Sequence, residues 1–288
     1  FTSTGFNQPL ATAGTGTFDL DGLMTSSGAV VISSDVVDLD NSIVAPGQDV
    51  TVTSTGAGGT DLAAAFAVNT QSAEDSGITS GNIIFNAQAG DIVLAGDLIS
   101  AGRNNNVIAG SDAGSISVAT AGAGDTITIS GAVNANGGTS DFAGADGGDA
   151  NTITITTNAG STILEATTVS AAGGGPGVGG TDGGGADILF NTSGALGSVL
   201  LDGDALTMIS TGTTAGNINF TGVAVDSING ESLTLTSGTG DITFGETVGA
   251  ATALGVVTIA ASNDVTLSDA FTAAQLAQTV LGAGTFSN

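Results

Sequence analysis

Cysteine, histidine, lysine, tyrosine and tryptophan are all missing from this chain of 288 residues, and its one basic side chain is Arg103. Without cysteine there is neither a disulfide framework nor thiolate ligation of a metal. Acid–base chemistry is left to carboxylates. The 27 acidic residues bring the net charge to −26, which excludes nucleic acid as a partner, because holding a phosphate backbone takes several Lys or Arg to displace counterions. The same repulsion acts at anionic membrane surfaces. Nor does any run approach the roughly 18 apolar residues of a membrane span, since Gly, Thr, Asp and Asn interrupt each one. Phe1 opens neither a basic nor a long apolar stretch, so an export signal is expected outside this sequence.

What the chain does have is 48 glycines, 41% apolar residues and a mean hydropathy of +0.38, a balance that favours a folded chain over a disordered one. With 11 Phe as its whole aromatic content, the interior must be filled by Ile, Val, Leu and Ala, which suits a thin, layered core. A period is visible. Asn82-Ile83-Ile84-Phe85, Asp187-Ile188-Leu189-Phe190, Asn217-Ile218-Asn219-Phe220 and Asp241-Ile242-Thr243-Phe244 share one pattern, and Asp49-Val50-Thr51-Val52, Asp91-Ile92-Val93-Leu94 and Asp264-Val265-Thr266-Leu267 are looser copies. Runs starting at Val50, Ile83, Ile116, Ile153, Ile188 and Ile218 are separated by 33, 33, 37, 35 and 30 residues. Unequal steps about a common mean are what insertions of variable length in a constant coil produce.

Within a step, three short alternating segments (83–85, 92–94 and 98–100 in one case) precede a Gly-rich stretch. Three strands repeated in the same order and sense predict a triangular coil stacked by parallel pairing, with inward residues forming apolar ladders. The expected fold is an all-β parallel β-helix, a single segment over 1–288, with Gly/Asp-rich lateral loops near 101–114, 136–150 and 173–186. Gly90, Gly96, Gly124 and Gly131 are expected at corners needing positive φ, and the glycines of 137–148 and 173–185 in flexible insertions. The stretch 62–68 has helix-forming composition, and the Ala-rich 61–66 reads as an insertion; 271–281 suits either a helix or a short strand and turn. The two ends are alike: Phe1-Thr2-Ser3 and Gly14-Thr15-Gly16-Thr17-Phe18 match Phe271-Thr272-Ala273 and Gly282-Ala283-Gly284-Thr285-Phe286. This suggests one unit of a longer tandem array, with neighbouring copies or segments completing the rod end to end.

The Gly-Asn/Asp-Ile-x-Phe runs, Gly-Thr-Gly-Thr-Phe, Ser-Gly-Ala-Val-Val-Ile at 27–32 and Ser-Gly-Ala-Val at 130–133 resemble the β-strand-repeat proteins of bacterial surfaces, the filamentous haemagglutinin-type and autotransporter-type adhesins. The resemblance extends over nearly the whole chain. It implies a right-handed β-helical shaft, an extracellular or cell-surface location, and a structural or adhesive role without catalysis, with a host or cell-surface receptor or glycan as partner. The alternative within the same frame is a self-assembling subunit of an extracellular filament or matrix fibre.

Carboxylates are the remaining candidates for chemistry. Asp141, Asp146 and Asp149 fall in one insertion and Asp182 and Asp187 in or beside the next, so stacking is expected to bring them into an oxygen-rich calcium site. A solvated acidic surface is the alternative. Glycoside hydrolysis needs paired carboxylates, for which Asp35, Asp38 and Asp40, or Asp202 and Asp204, are candidates; Asp38 and Asp40 share a strand face about 7 Å apart. No Trp or Tyr is present to stack a sugar, and Arg103 in Gly102-Arg103-Asn104-Asn105-Asn106 reads as a solvated or locally paired arginine. Thr51-Val52-Thr53, Thr126-Ile127-Thr128, Thr154-Ile155-Thr156 and Thr234-Leu235-Thr236 resemble water-ordering arrays, but equivalent strands carry Ile, Ser and Leu outward, so no continuous threonine ladder is expected.

Overall fold

Strands of two to eight residues carry the alternation of a sheet with one face buried: Val50–Ser54, Ile83–Ala87 and Ile153–Asn158 each turn every second side chain inward. The computed structural model describes residues 4–6, 10–13, 15–56, 60–203, 205–279 and 286–287. In them the chain visits three sheets in turn, which makes a right-handed parallel β-helix. The first sheet includes Ile43–Val44, Val68–Asn69 and Leu98–Ile99; the second, Val50–Ser54, Ile83–Ala87 and Ile116–Ala123; the third, Val36–Leu39, Thr60–Ala64 and Asp91–Leu94. They hold 11, 11 and 8 strands. The third sheet outlasts its last strand, because single-residue bridges from Val225 to Val248 and from Val248 to Phe271 continue the face.

Inward side chains stack in register. In the second sheet Val30, Val50, Ile83, Ile116, Ile153, Ile188, Ile218, Ile242 and Val265 form one column. Two residues further on, Phe190, Phe220 and Phe244 stack with ring centroids 5.3 and 5.1 Å apart and planes within 10°. That spacing is close to the strand separation, so the rings pack face to face without distorting the coil. Met24, Ile43, Val68, Leu98, Val133, Val169, Met208, Leu235 and Ile259 form the matching column of the first sheet. All of these lie in one contiguous core.

Two segments differ from expectation. Residues 61–66 are no insertion: Leu62 and Ala64 pair with Val37 and Leu39 below and with Ile92 and Leu94 above, in the strand Thr60–Ala64. Ladder hydrogen bonds override helix propensity there. Between the alternatives for 271–281, the strand holds, since Ala273–Gln278 pairs with Leu254–Ala261. Half of the motif pair at the two ends, residues 1–3, 14 and 282–285, lies outside the described residues.

The lateral loops are hydrogen-bonded from coil to coil. Each leaves the axis between the first and second sheets and is bonded to the loop of the next coil: Gly102 N–H donates to Asn136 O, Gly137 to Ala172 O and Gly173 to Thr211 O, while on the return path Gly110 donates to Asp146 O and Gly147 to Thr181 O. The outgoing and returning arms are bonded to each other as well, in a zigzag through Gly138 to Ser111 O, Gly148 to Gly138 O, Gly174 to Gly148 O and Gly183 to Gly174 O, at 2.8 to 2.9 Å. The result is a lobe of crossing backbones in which glycine is required for closeness. A Cβ on Gly174 would stand 1.9 Å from the Gly138 carbonyl oxygen, and one on Gly183 1.9 Å from that of Gly148. At the corners, Gly90 and Gly124 have the expected positive φ of 89° and 84°. Gly96 and Gly131 are instead there because a Cβ would meet backbone at 2.1 and 2.2 Å.

Adjacent glycines test this packing. Gly174→Ala should destabilise the fold by about 1–3 kcal/mol, the range for forcing atoms into a filled site. Gly175→Ala, whose Cβ would find only Thr139 Cγ2 at 3.8 Å, should change stability by less than about 0.5 kcal/mol. Denaturant midpoints of the two variants measure the difference.

Candidate functional site

The Asn or Asp that precedes each inward Ile stands at a corner, and its side-chain oxygen accepts the backbone N–H of the equivalent residue one coil further on. Asp49 Oδ1 accepts from Asn82 N at 2.7 Å and Asn82 Oδ1 from Ser115 N at 2.8 Å. Asp187 accepts from Asn217 at 2.7 Å, Asn217 from Asp241 at 2.8 Å and Asp241 from Asp264 at 3.1 Å. On the third sheet and its following corner, Asp91 and Asp97 do the same for Thr126 and Ala132, at 2.7 and 2.8 Å. Short acidic side chains suit this task because they reach a backbone donor without leaving the corner, and an ionised acceptor strengthens the bond.

The five residues expected to bind calcium are distributed along this scheme. Asp146 accepts the N–H of Thr181 at 2.8 Å and its hydroxyl at 2.9 Å; these two bonds hold its carboxyl below the ordinary value of 3.8. Asp149 accepts from Gly184 N at 2.7 Å and donates its own N–H to Asp112 Oδ1 at 2.9 Å. Asp187 caps Asn217 as described. Asp182 lies on the following loop, where its carbonyl accepts the Thr213 hydroxyl. Asp141 lines a cleft of about 410 Å³ with Gln71, Glu74, Arg103, Asn104 and Asn106. They do not come together as one group. Among the described residues, the acidic cluster whose ligand atoms all lie within 4.8 Å is Asp19, Asp21 and Asp40, all exposed.

That cluster adjoins one of the proposed acid–base candidates. Asp19 pairs in register with Asp38 on the third sheet, and the Asp38 carboxyl is pushed above 3.8 by partial burial first, then by the charges of Asp40 and Asp19. Asp35 points elsewhere, accepting Gly16 N at 3.0 Å and the Thr55 hydroxyl at 3.1 Å. Asp202 is held through its backbone, N–H to Leu164 O at 3.0 Å, and Asp204 lies outside the described residues. Arg103 donates to Gln71 Oε1 at 3.0 Å and stands 3.8 Å from Glu74. With 41% and 47% of their side chains exposed, this ion pair is screened and contributes little to stability.

Two acids had no motif to mark them. Asp226, 7% exposed, accepts Ala251 N at 2.8 Å, which ties that segment to the strand Val223–Ser227, buried along its whole length. Glu231, 8% exposed, loses hydration, but the N–H groups of Asn229 and Ile228 more than offset this and lower its pKa. One short threonine ladder exists as well: Thr168, Thr207, Thr234 and Thr258 stack in register on the outer face of the first sheet. On the second sheet, Thr51 is followed by Ile84, Ser117, Thr154 and Leu189, so no ladder forms.

Fold and side chains together define a three-sided parallel β-helix with polar corner staples and one lateral lobe. No family model, curated protein or solved structure matches the chain.

The two shifted aspartates predict opposite pH effects. Asp146, with its pKa lowered, contributes stability above 3.8 that is lost as pH falls through its folded value. Asp146→Ala should therefore melt lower than the parent at neutral pH, with the gap closing in acid. Asp38, with its pKa raised, favours the fold below 3.8, and that contribution is lost as pH rises through its folded value. Asp38→Asn should melt higher than the parent at neutral pH and lose its advantage in acid. Thermal melts across a pH series measure both.

Proposed function

We propose that this chain is a non-catalytic structural and adhesive shaft of an exported surface protein, with the lateral lobe as its contact surface. The observation that carries the reading is the use of the corner carboxylates: Asp49, Asp91, Asp97, Asp146, Asp149, Asp187 and Asp241 each accept a backbone N–H of the next coil. An acid excess employed this way lengthens and solubilises a rod. The uniform core supports the same reading, because stacked columns transmit no specialised geometry but extend one axis. The alternative is a subunit that stacks end to end into a filament, since an unpaired strand edge is a template for another chain.

Electron microscopy of the purified chain and an attachment assay test these readings. Eleven strands at the usual separation give a rod about 50 Å long. Discrete rods of that length, together with retention of chain-coated beads on a cell or matrix layer, are the expected result. Continuous filaments would favour the fibre. Beads that wash off as readily as uncoated ones would remove the adhesive role.

A further inference from the structure

We infer that the tip of the lateral lobe is a docking surface for a basic protein segment with an apolar face. This deepens the reading of the lobe as a contact surface and rests on it. Eleven large apolar side chains are exposed among the described residues, and four of them stand in successive loops of the lobe: Ile78 at 56%, Val107 at 58%, Phe142 at 51% and Val178 at 88%. Two of them, Val107 and Phe142, are in register. Asn105 bridges Ser140 in parallel, so Val107 and Phe142, each two residues further on, leave adjacent coils at equivalent positions. Ser140 N–H in turn donates to Gly175 O and Gly144 N–H to Val178 O, which stacks the next loop on this one with Gly177 against the Phe142 backbone and Val178 beside Gly144. At a coil spacing of about 4.8 Å such side chains form one continuous ridge. Single exposed apolar residues are ordinary on a protein surface, whereas a contiguous patch around an aromatic marks an interaction site.

Charge selects the occupant. The loops 71–81, 101–114, 136–150 and 173–186 carry Glu74, Asp75, Asp112, Asp141, Asp146, Asp149 and Asp182 against Arg103, and Arg103 is already beside Glu74. Glu74 and Asp141 line the cleft at the foot of the ridge, Asp141 next to Phe142. A second copy, itself at −26, would be repelled, as would an anionic bilayer. A Lys- or Arg-bearing segment with apolar side chains satisfies both the ridge and the carboxylates. The crossing glycine arms fix the lobe beforehand, so little order has to be imposed on docking.

The test uses three labelled peptides of equal length, of Lys and Leu, of Lys and Ser, and of Glu and Leu, titrated by fluorescence anisotropy at about 150 mM salt, where long-range attraction is screened. The Lys–Leu peptide should bind about tenfold tighter than Lys–Ser, a modest return for burying apolar side chains, and Glu–Leu should not bind. The combined variant Val107→Ser, Phe142→Ser, Val178→Ser should lose the preference for Lys–Leu, and Val178→Ser alone should reduce it. Leu196→Ser, outside the lobe, should not. Equal binding of the two lysine peptides, or a preference that survives the combined variant, would overturn the proposal. Rod shape and melting temperature of the same variants report separately on the shaft, so a failure of the shaft reading would show there and not in the titration.

Discussion

Every feature of this molecule depends on the hydrogen bond between a residue and its equivalent one coil away. Because strand side chains alternate with a period of two, a slip of one residue between coils would turn a whole column from core to solvent. Register therefore has to be kept on all three faces at once. It also restricts where the chain can grow. From Val30 to Val50 a coil takes 20 residues, and from Ile116 to Ile153 it takes 37, yet both Ile116 and Val50 stand in the same unbroken column. The extra residues leave at the corner between the first and second sheets and return to it. Once outside, they meet the same requirement, since each buried N–H must find a carbonyl. The lobe satisfies it by stacking on its neighbours, which is why loops in successive coils lengthen and shorten gradually instead of varying at random.

The same constraint accounts for the charge. A corner breaks the ladder and leaves an N–H pointing along the axis, and a carboxylate or amide one coil below is well placed to accept it. A rod of this kind thus acquires acidic side chains in axial rows, with no cationic partner needed for local stability. The cost is repulsion between neighbouring acids, largely screened at the exposed corners. It surfaces at Asp38, where burial raises the carboxyl first and the charges of Asp40 and of Asp19 one coil below raise it further.

The shaft was legible in the sequence wherever an inward Ile or Phe follows Asn or Asp, because that one short run encodes both the corner staple and the column. The first coils, near Thr17–Asp19 and Val36–Leu39, lack the run, and so the approach of Asp19, Asp21 and Asp40 could not be read from spacing. Residues 62–68 were obscure for a different reason: a strand position accepts alanine, and alanine is also the best helix former. Glycine was the most ambiguous signal. Composition alone makes a flexible linker and a crowded crossing of backbones look the same, although one needs space and the other removes it. Collagen raises the same ambiguity, and there too only a strict positional requirement separates the two uses.

The same physical demands bear on the proposed contact surface. A face of the shaft must keep β-branched or small polar side chains to preserve strand geometry, and the outer columns of the second sheet mix Thr, Ser, Ile and Asn from coil to coil, so the longest uniform outer pattern described is the four-residue threonine ladder of the first sheet. The lobe is free of strand propensity because its arms are not strands, and its tip can carry exposed apolar side chains in successive loops, Val107 and Phe142 at equivalent positions and Val178 beside them. It nevertheless inherits the rigidity of the shaft through the bonds that tie each arm to the next coil. A surface that is both variable in composition and fixed in position is what selective contact requires, and in this chain that combination arises where glycine lets backbones cross.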